Sequence, residues 1–593
     1  MTTTATVAGT TIADFAFRIG EAYGDRPAAR YQTAPGDWTD IAYADLSAQA
    51  IEFGSGLLDL GLDHGDRVAV LGSTRPLWSV AHLGLTATGA VHVSVYPTNA
   101  PEECAWVVGN SQSRGIVCED AEQVAKIQQV RDQLPALEWI VILDGEADGA
   151  IGLDEVRARG RARGAAELRE RAAAVTPDDA YMFMYTSGTT GPPKGCVLSH
   201  GNYRFILDAG DELSSVDRDS TMYLFLPLAH AFALLFHLIV LDHGAVLVYW
   251  GGDTARIVPE LAQTRPTILP SVPRIFEKIY AAAVGGQEPE VRERMLAAAR
   301  VGLEVREREL RGEPVPDELR AAFDAGEQAV FAKVRGLFGG NLRRAISGGA
   351  PLSREIAEFL WGCGVPVTEG FGMTETSTAA AMNTLEHHRF GTVGRSLPGQ
   401  EAAIAADGEL LLRGPNIFQG YHGLEQATRE AIDEDGWLHT GDLGAIDEDG
   451  YISIVGRKKD IIITAGGKNL TPANFENDVK RSKWVSQAVM HGDRRPYPVA
   501  LITLDPEAIV PWARERGLPT ELAALADHDE VRALVQADVD RANAKLARVE
   551  QVKKFALLPR DLSQEEGELT PTLKVKRKVV DEHFAEAIEA LYA

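Results

Sequence analysis

Short β-rich runs alternate with helical ones through the first quarter of the chain: Arg67-Val-Ala-Val-Leu71, a helical stretch over 76–88, Ala90-Val-His-Val-Ser-Val95, Gly115-Ile-Val-Cys118 and Trp139-Ile-Val-Ile-Leu143. Runs this apolar suit strands covered on both faces, and their alternation with helices indicates an α/β architecture. Helical spacing is also expected over 12–23 and 43–60, with a β-like segment carrying Trp38 between 28 and 41. Residues 154–175, rich in Arg, Glu and Ala, read as an exposed helix. From 289 to 337 Val291, Met295, Ala299 and Leu303 recur every four residues, as an amphipathic helix packed on its own domain requires. Beyond Thr471 glycines thin out and charged helical stretches dominate. At 593 residues the chain exceeds one core, so two or more domains are expected.

The net charge of −26 argues against nucleic acid as a main partner, since duplex binding needs a basic face. An anionic ligand must then be held by local dipoles and individual cations. Cys104, Cys118, Cys196 and Cys363 show neither CxxC spacing nor a histidine cluster, and read as reduced thiols of a cytoplasmic protein. The N-terminus has no secretory pattern. The longest apolar run, 229–241, carries His230 and His237 and falls short of the roughly 20 residues that cross a bilayer.

After the apolar Tyr181-Met-Phe-Met184 comes Tyr185-Thr-Ser-Gly-Thr-Thr-Gly-Pro-Pro-Lys-Gly195. Hydroxyls, glycines and one lysine in a loop leaving a strand are suited to converge on a polyphosphate. The spacing is not that of a P-loop, because Lys194 follows Pro193 and precedes Gly195. An ordinary surface loop would need neither the lysine nor the paired prolines.

Further glycine-punctuated motifs follow: Ser347-Gly-Gly-Ala-Pro351, Glu369-Gly-Phe-Gly-Met-Thr-Glu375, His439-Thr-Gly-Asp-Leu-Gly444 and Gly456-Arg-Lys-Lys-Asp460. Glu375 and Thr186 are hard-oxygen candidates for Mg²⁺, although a lone loop glutamate is more often solvated. Asp442 could accept two hydrogen bonds from a ribose diol, and the fork of Arg457 suits ribose or phosphate oxygens. His230, beside Phe232 in an apolar stretch, is either a core histidine or the polar mouth of a fatty-acid pocket. Leu569-Thr-Pro-Thr-Leu-Lys-Val-Lys-Arg-Lys578 concentrates cations, one of which could reach charge developing between a carboxylate and an α-phosphate.

In order and spacing, these motifs resemble the long-chain fatty acyl-CoA synthetases of the adenylate-forming family, from about Ile12 to Val580. The stretch Asp435-Gly-Trp-Leu-His-Thr-Gly-Asp-Leu-Gly444 through Asp460 looks like the fatty-acyl synthetase signature, and the helical segment ending Lys333-Val-Arg-Gly-Leu-Phe-Gly-Gly340 is similar to that of long-chain members. The resemblance implies a large, multi-subdomain N-terminal domain with helix-flanked sheets (1–456), a hinge (457–460) and a small mobile α+β domain (461–593).

It further implies that Thr186, Ser187, Gly188, Thr189, Thr190, Gly191 and Lys194 hold the ATP phosphates, with Thr186 and Glu375 binding Mg²⁺. Gly349, Ala350, Pro351, Glu369, Gly370, Phe371 and Gly372 would line the adenine site, and Thr374 would touch the α-phosphate. Asp442 and Arg457 would hold the ribose, and His230 would lie near the fatty-acid carboxylate. Lys459 would be the hinge, and Gly466-Gly467 would pass the pantetheine arm of coenzyme A. Lys574 would be the mobile catalytic lysine; many family members carry Ser-Gly-Lys there and this chain Thr572-Leu-Lys574, so Lys576 remains an alternative.

The implied activity is ATP-dependent conversion of a long-chain fatty acid to acyl-CoA through acyl-AMP, releasing pyrophosphate and AMP. Alternatives are an acyl-AMP ligase serving a carrier protein, for which no insertion near the hinge is seen, and an inactive nucleotide-binding module. Peripheral membrane contact is compatible with a lipid-partitioning substrate, but no anchor is visible. Chain-length preference and oligomeric state are not encoded in any local motif.

Overall fold

A computed structural model describes residues 9–186, 192–213, 215–285, 287–465, 468–570 and 574–593. Among these, two large sheets dominate. One runs in the order Gly420–Tyr421, Lys194–Ser199, Ala180–Thr186, Val91–Val95, Arg67–Leu71, Gly115–Cys118, Trp139–Ile142, Ile151–Gly152. From Ala180–Thr186 outward to Ile151–Gly152 its pairs are parallel, while Lys194–Ser199 folds back antiparallel. The second sheet has a parallel centre, Pro27–Ala34, Val246–Tyr249, Thr221–Leu224, Ile268–Ser271, Arg344–Ser347, Val367–Phe371, with antiparallel edges.

The helices Pro76–Ala87 and Ala231–His243 lie inside, each buried at all but one residue. A helix apolar on every side belongs in a core, and a single cluster joins both helices to residues of both sheets. A smaller four-stranded antiparallel sheet, Glu401–Ile404, Glu409–Arg413, Leu438–Ile446 and Ile452–Arg457, follows. Its last strand leads into the turn carrying Lys459.

Most expected elements stand where the periodicity places them. The expected helix over 154–175 is two, Leu153–Arg163 and Ala166–Ala174, and it is not simply exposed. Val156 and Leu168 are buried, and a Cβ on Gly160 would stand 1.8 Å from the Glu52 carbonyl, so its backbone packs directly on the helix Tyr43–Asp59. Glycine at that contact removes the amphipathic signal that would have marked it. The amphipathic helix appears as Pro289–Leu310, with Ala299 and Val305 buried against its own domain.

The charged composition beyond Thr471 hides a sheet. Val485–His491, Val499–Leu504 and Phe555–Leu557 form three strands packed under helices, the α+β arrangement the resemblance implies. All six residues of Val499–Leu504 are buried, and this short apolar run is masked by the long charged helices around it. The four cysteines are buried and free.

Candidate functional site

The candidate residues gather beyond the carboxyl ends of the parallel strands, where open α/β sheets bind ligands. Thr186 ends its strand and pairs in register with Lys194, so hydroxyl and ammonium flank the mouth of the hydroxyl-rich loop. Ser187, Gly188, Thr189, Thr190 and Gly191 lie outside the described residues, as do Gly466, Gly467 and Thr572. The far side of the loop is pinned where Trp106 Nε1 donates to the Pro193 carbonyl at 2.8 Å.

Glu375 is buried, and its Oε1 accepts from the Tyr421 hydroxyl at 2.7 Å. Its backbone carbonyl accepts from Phe418 N–H, and neighbouring Ser377 donates to Asn416 O, so two chain segments fix the carboxylate. Tyr421 was not anticipated from sequence. Its strand pairs with the one that Lys194 opens, and Lys194 Nζ sits over its ring at 4.8 Å. One aromatic thus steers both the carboxylate and the lysine; Phe418-Gln-Gly-Tyr421 offered only a generic aromatic turn as its signal.

On the neighbouring sheet, strands Arg344–Ser347 and Val367–Phe371 pair with Ser347 opposite Glu369. Leu352 N–H donates to Glu369 Oε1 at 3.1 Å, tying the exposed Gly349, Ala350 and Pro351 to the segment Glu369, Gly370, Phe371. Burial pushes the Glu369 carboxyl up to about 7. A Cβ on Gly372 would meet Thr378 O at 1.8 Å, so only glycine lets the chain turn from Phe371 into the short helix Thr374–Thr376.

Asp442 and Arg457 pair across strands Leu438–Ile446 and Ile452–Arg457. Lys458 is anchored to Asp407 and Glu409, whereas Lys459 is exposed in the turn beyond. His230 caps the helix Ala231–His243, its Nδ1 accepting from Phe232 N–H at 3.2 Å. Burial, reinforced by the charge of Lys574, lowers its pKa to about 3. A neutral ring with Nδ1 accepting carries its proton on Nε2, the nitrogen left for a substrate oxygen.

Lys574 arrives from the other end of the chain. Its surface is more than one third open, yet it lies deep enough in the cleft for desolvation to lower its pKa to about 8. Arg457 adds to that shift and Asp442 and Glu375 oppose it, so the ammonium is within electrostatic reach of all three and of His230. Lys574 N–H donates to Thr570 Oγ1 at 3.0 Å, Thr570 N–H donates to the Lys574 carbonyl, and Leu569 bridges Val575, so the lysine stands at the closed base of this turn. Lys576, just past the Leu569–Val575 bridge, donates its backbone N–H to Glu568 O.

Among the described residues three ion pairs join the two halves: Arg274 to Asp505 at 2.6 Å, Lys278 to Glu507 at 2.8 Å, and Arg481 to Glu355.

Paired strands ending at Thr186 and opening at Lys194, a carboxylate–arginine pair and a lysine brought in from the C-terminal segment are the features of an adenylate-forming enzyme. The chain belongs to the AMP-binding enzyme family, which matches residues 17–422, with the AMP-binding enzyme C-terminal domain matching 459–593. It is similar to a long-chain-fatty-acid–CoA ligase, FadD15, of Mycobacterium tuberculosis, at 39% identity over 94% of this chain and 93% of that one. It is similar also to a Drosophila melanogaster long-chain-fatty-acid–CoA ligase, heimdall, at 30% identity over 99% and 95%. In fold it resembles the adenylation domain of a carboxylate reductase from Mycobacterium chelonae, with a TM-score of 0.78, 22% identity, and coverage of 98% and 91%.

Proposed function

We propose that the protein is an ATP-dependent long-chain fatty acid:CoA ligase that forms AMP. The observation that carries the reading is the convergence of Lys574 with His230, Glu375, Asp442 and Arg457. In the first step the fatty-acid carboxylate attacks the α-phosphorus of ATP, and pyrophosphate leaves. His230 Nε2–H holds the carboxylate in line, and the Lys574 ammonium stabilises charge shared between carboxylate and α-phosphate. Lys194 and the loop after Thr186 hold the departing pyrophosphate, the adenine lies between Gly349–Pro351 and Glu369–Gly372, and Thr374 touches the α-phosphate. Asp442 and Arg457 hold the ribose.

Glu375 fits a cation ligand: its buried carboxylate has no ion-pair partner within 4.0 Å among the described residues, and Tyr421 engages one oxygen. With Thr186 it would hold Mg²⁺, which supplies charge neutralisation to the polyphosphate.

In the second step the CoA thiolate attacks the acyl carbonyl and AMP leaves. One lysine cannot occupy the cleft while the thiol enters, so the segment 461–593 turns about 457–460, pivoting at Lys459 beyond the anchored Lys458, with Gly466-Gly467 passing the pantetheine. The reading keeps the protein in the cytoplasm, with peripheral membrane contact where its substrate partitions; among the described residues no helix is long and apolar enough to cross a membrane. The test is purified protein with palmitate, Mg·ATP and CoA: AMP and palmitoyl-CoA are expected, and ADP, or acyl-AMP that never reaches CoA, would contradict the reading.

A further inference from the structure

The stretch that carries Thr374 and Glu375 is a loop closed on itself. Ala380 N–H donates to Phe371 O at 2.8 Å, and Thr376 N–H and Thr378 N–H each donate to Met373 O at 3.1 Å. The close approach of Gly372 to Thr378 O tightens the same loop. Thr374 and Glu375 therefore stand on a closed turn, and Thr378 stands where the chain leaves it.

Two consecutive residues at that exit lie in the left-handed backbone region. Ser377, the cap of the short helix Thr374–Thr376, has φ +51°, and Thr378 has φ +105°. A β-branched side chain crowds its own backbone at such a φ, where glycine would fit without a clash. Strain of this kind persists only where surrounding contacts over-determine it, and it gathers where geometry serves function. Asn416 supplies one such contact: its carbonyl accepts from Ser377 Oγ at 2.9 Å, and its Nδ2 donates to Ala379 O at 2.9 Å.

The strained residue also reaches a distant segment. Thr378 Oγ1 donates to Ala231 O at 3.0 Å, across 147 residues of chain. Ala231 is the first residue of the helix Ala231–His243, and His230 is its N-cap. Among the described residues this is the only hydrogen bond between the segment 226–232 and the loop 371–380. On the ligase reading, the ring that meets the fatty-acid carboxylate and the loop that meets the α-phosphate and the cation are thus tied through one threonine hydroxyl.

In-line attack needs the carboxylate and the α-phosphorus held at a fixed separation, and a misplacement of about 1 Å can lower the rate about 100-fold. We infer that Thr378 is a positioning residue of the first step, its hydroxyl fixing the start of the His230 helix against the loop of Thr374 and Glu375. The inference rests on the ligase reading and adds to it a residue that acts through His230 and Thr374. Strain at Thr378 is what holds its hydroxyl toward Ala231, so relief of the strain and loss of the bond have opposite effects on stability and the same effect on rate.

The test is palmitate-dependent ATP–pyrophosphate exchange, which reports the first step alone, together with thermal midpoints of the same full-length proteins. Thr378→Val keeps the branched shape and loses the hydroxyl, Thr378→Gly loses the hydroxyl and relieves the backbone, and Thr378→Ser keeps the hydroxyl. Thr378→Val and Thr378→Gly should each lose about tenfold or more in kcat of exchange with KM for ATP within about threefold, while Thr378→Ser stays within about threefold of wild type in both. Thr378→Gly should nevertheless melt at or above Thr378→Val, since only the latter keeps the strain. Exchange by Thr378→Gly at the wild-type rate, a loss in Thr378→Ser as large as in Thr378→Val, or rates that simply follow the melting temperatures would overturn the inference. A wild type with no palmitate-dependent exchange would instead overturn the ligase reading beneath it.

Discussion

Asp442 and Arg457 stand opposite one another on neighbouring antiparallel strands, with Arg457 Nε 3.3 Å from Asp442 Oδ1. The carboxylate is buried and the guanidinium half exposed, so the pair presents fixed oxygens from within and a donor fork at the cleft rim. Burial raises the Asp442 pKa, and Arg457 is the largest opposing influence. Asp442→Ala and Arg457→Ala should each raise KM for ATP about 10- to 100-fold, the loss of one charge-assisted contact, while Arg457→Lys loses less. Steady-state kinetics at saturating fatty acid measure this; an unchanged KM in Asp442→Ala would remove the pair from the ribose site.

Lys574 with a pKa near 8 predicts a pH dependence. Desolvation disfavours its charged form, so the cation needed for adenylation is lost as pH rises through about 8. The profile of kcat/KM for fatty-acid-dependent pyrophosphate release should therefore fall on its alkaline side with an apparent pKa near that value. Lys574→Arg, which stays charged, should lose that limb even if its rate is lower. A wild-type profile flat through this range would contradict the assignment.

Glu369 titrates in the opposite setting. Its folded pKa of about 7 lies above the ordinary carboxylate value, so the fold favours the protonated form. Stability from that preference is complete at acidic pH and lost as pH rises through about 7, up to about 3 kcal/mol in all. Thermal midpoints between pH about 5.5 and about 8.5 should fall less in Glu369→Gln than in wild type. Parallel curves would show that the carboxyl is already ionised.

The ion pairs Arg274–Asp505, Lys278–Glu507 and Arg481–Glu355 are made with Lys574 in the cleft and must break if the C-terminal segment turns. Partly exposed pairs contribute about 0–1 kcal/mol each, so Asp505→Asn with Glu507→Gln should slow the first step by several-fold at most. Asn at 505 keeps the helix cap that Asp505 provides to Glu507 N–H. Rapid-quench measurement of both half-reactions should show thioester formation unchanged or faster. Equal slowing of both steps would mean the pairs merely hold the fold.

The strands and motifs of the N-terminal part were legible because each is local: a buried strand is an apolar run, and Thr186, Glu375 and Asp442 stand in glycine-punctuated stretches. Assemblies drawn from distant segments were not. No spacing ties Tyr421 to Glu375 or Lys194, since strand pairing across more than two hundred residues creates that contact. Lys574 and Lys576 are equivalent as a charge run, and only the loop closed by Leu569 and Val575 separates them. Gly160 reads as neutral in a charged helix.

The central claim is that Lys574 serves the first step alone. Lys574→Ala, with Lys576→Ala as control, should be assayed separately for acyl-AMP formation and for thioester formation from supplied acyl-AMP and CoA. Acyl-AMP formation in Lys574→Ala should drop by about 100-fold or more, with thioester formation within about threefold of wild type and Lys576→Ala near normal in both. An undiminished first step in Lys574→Ala would contradict the account.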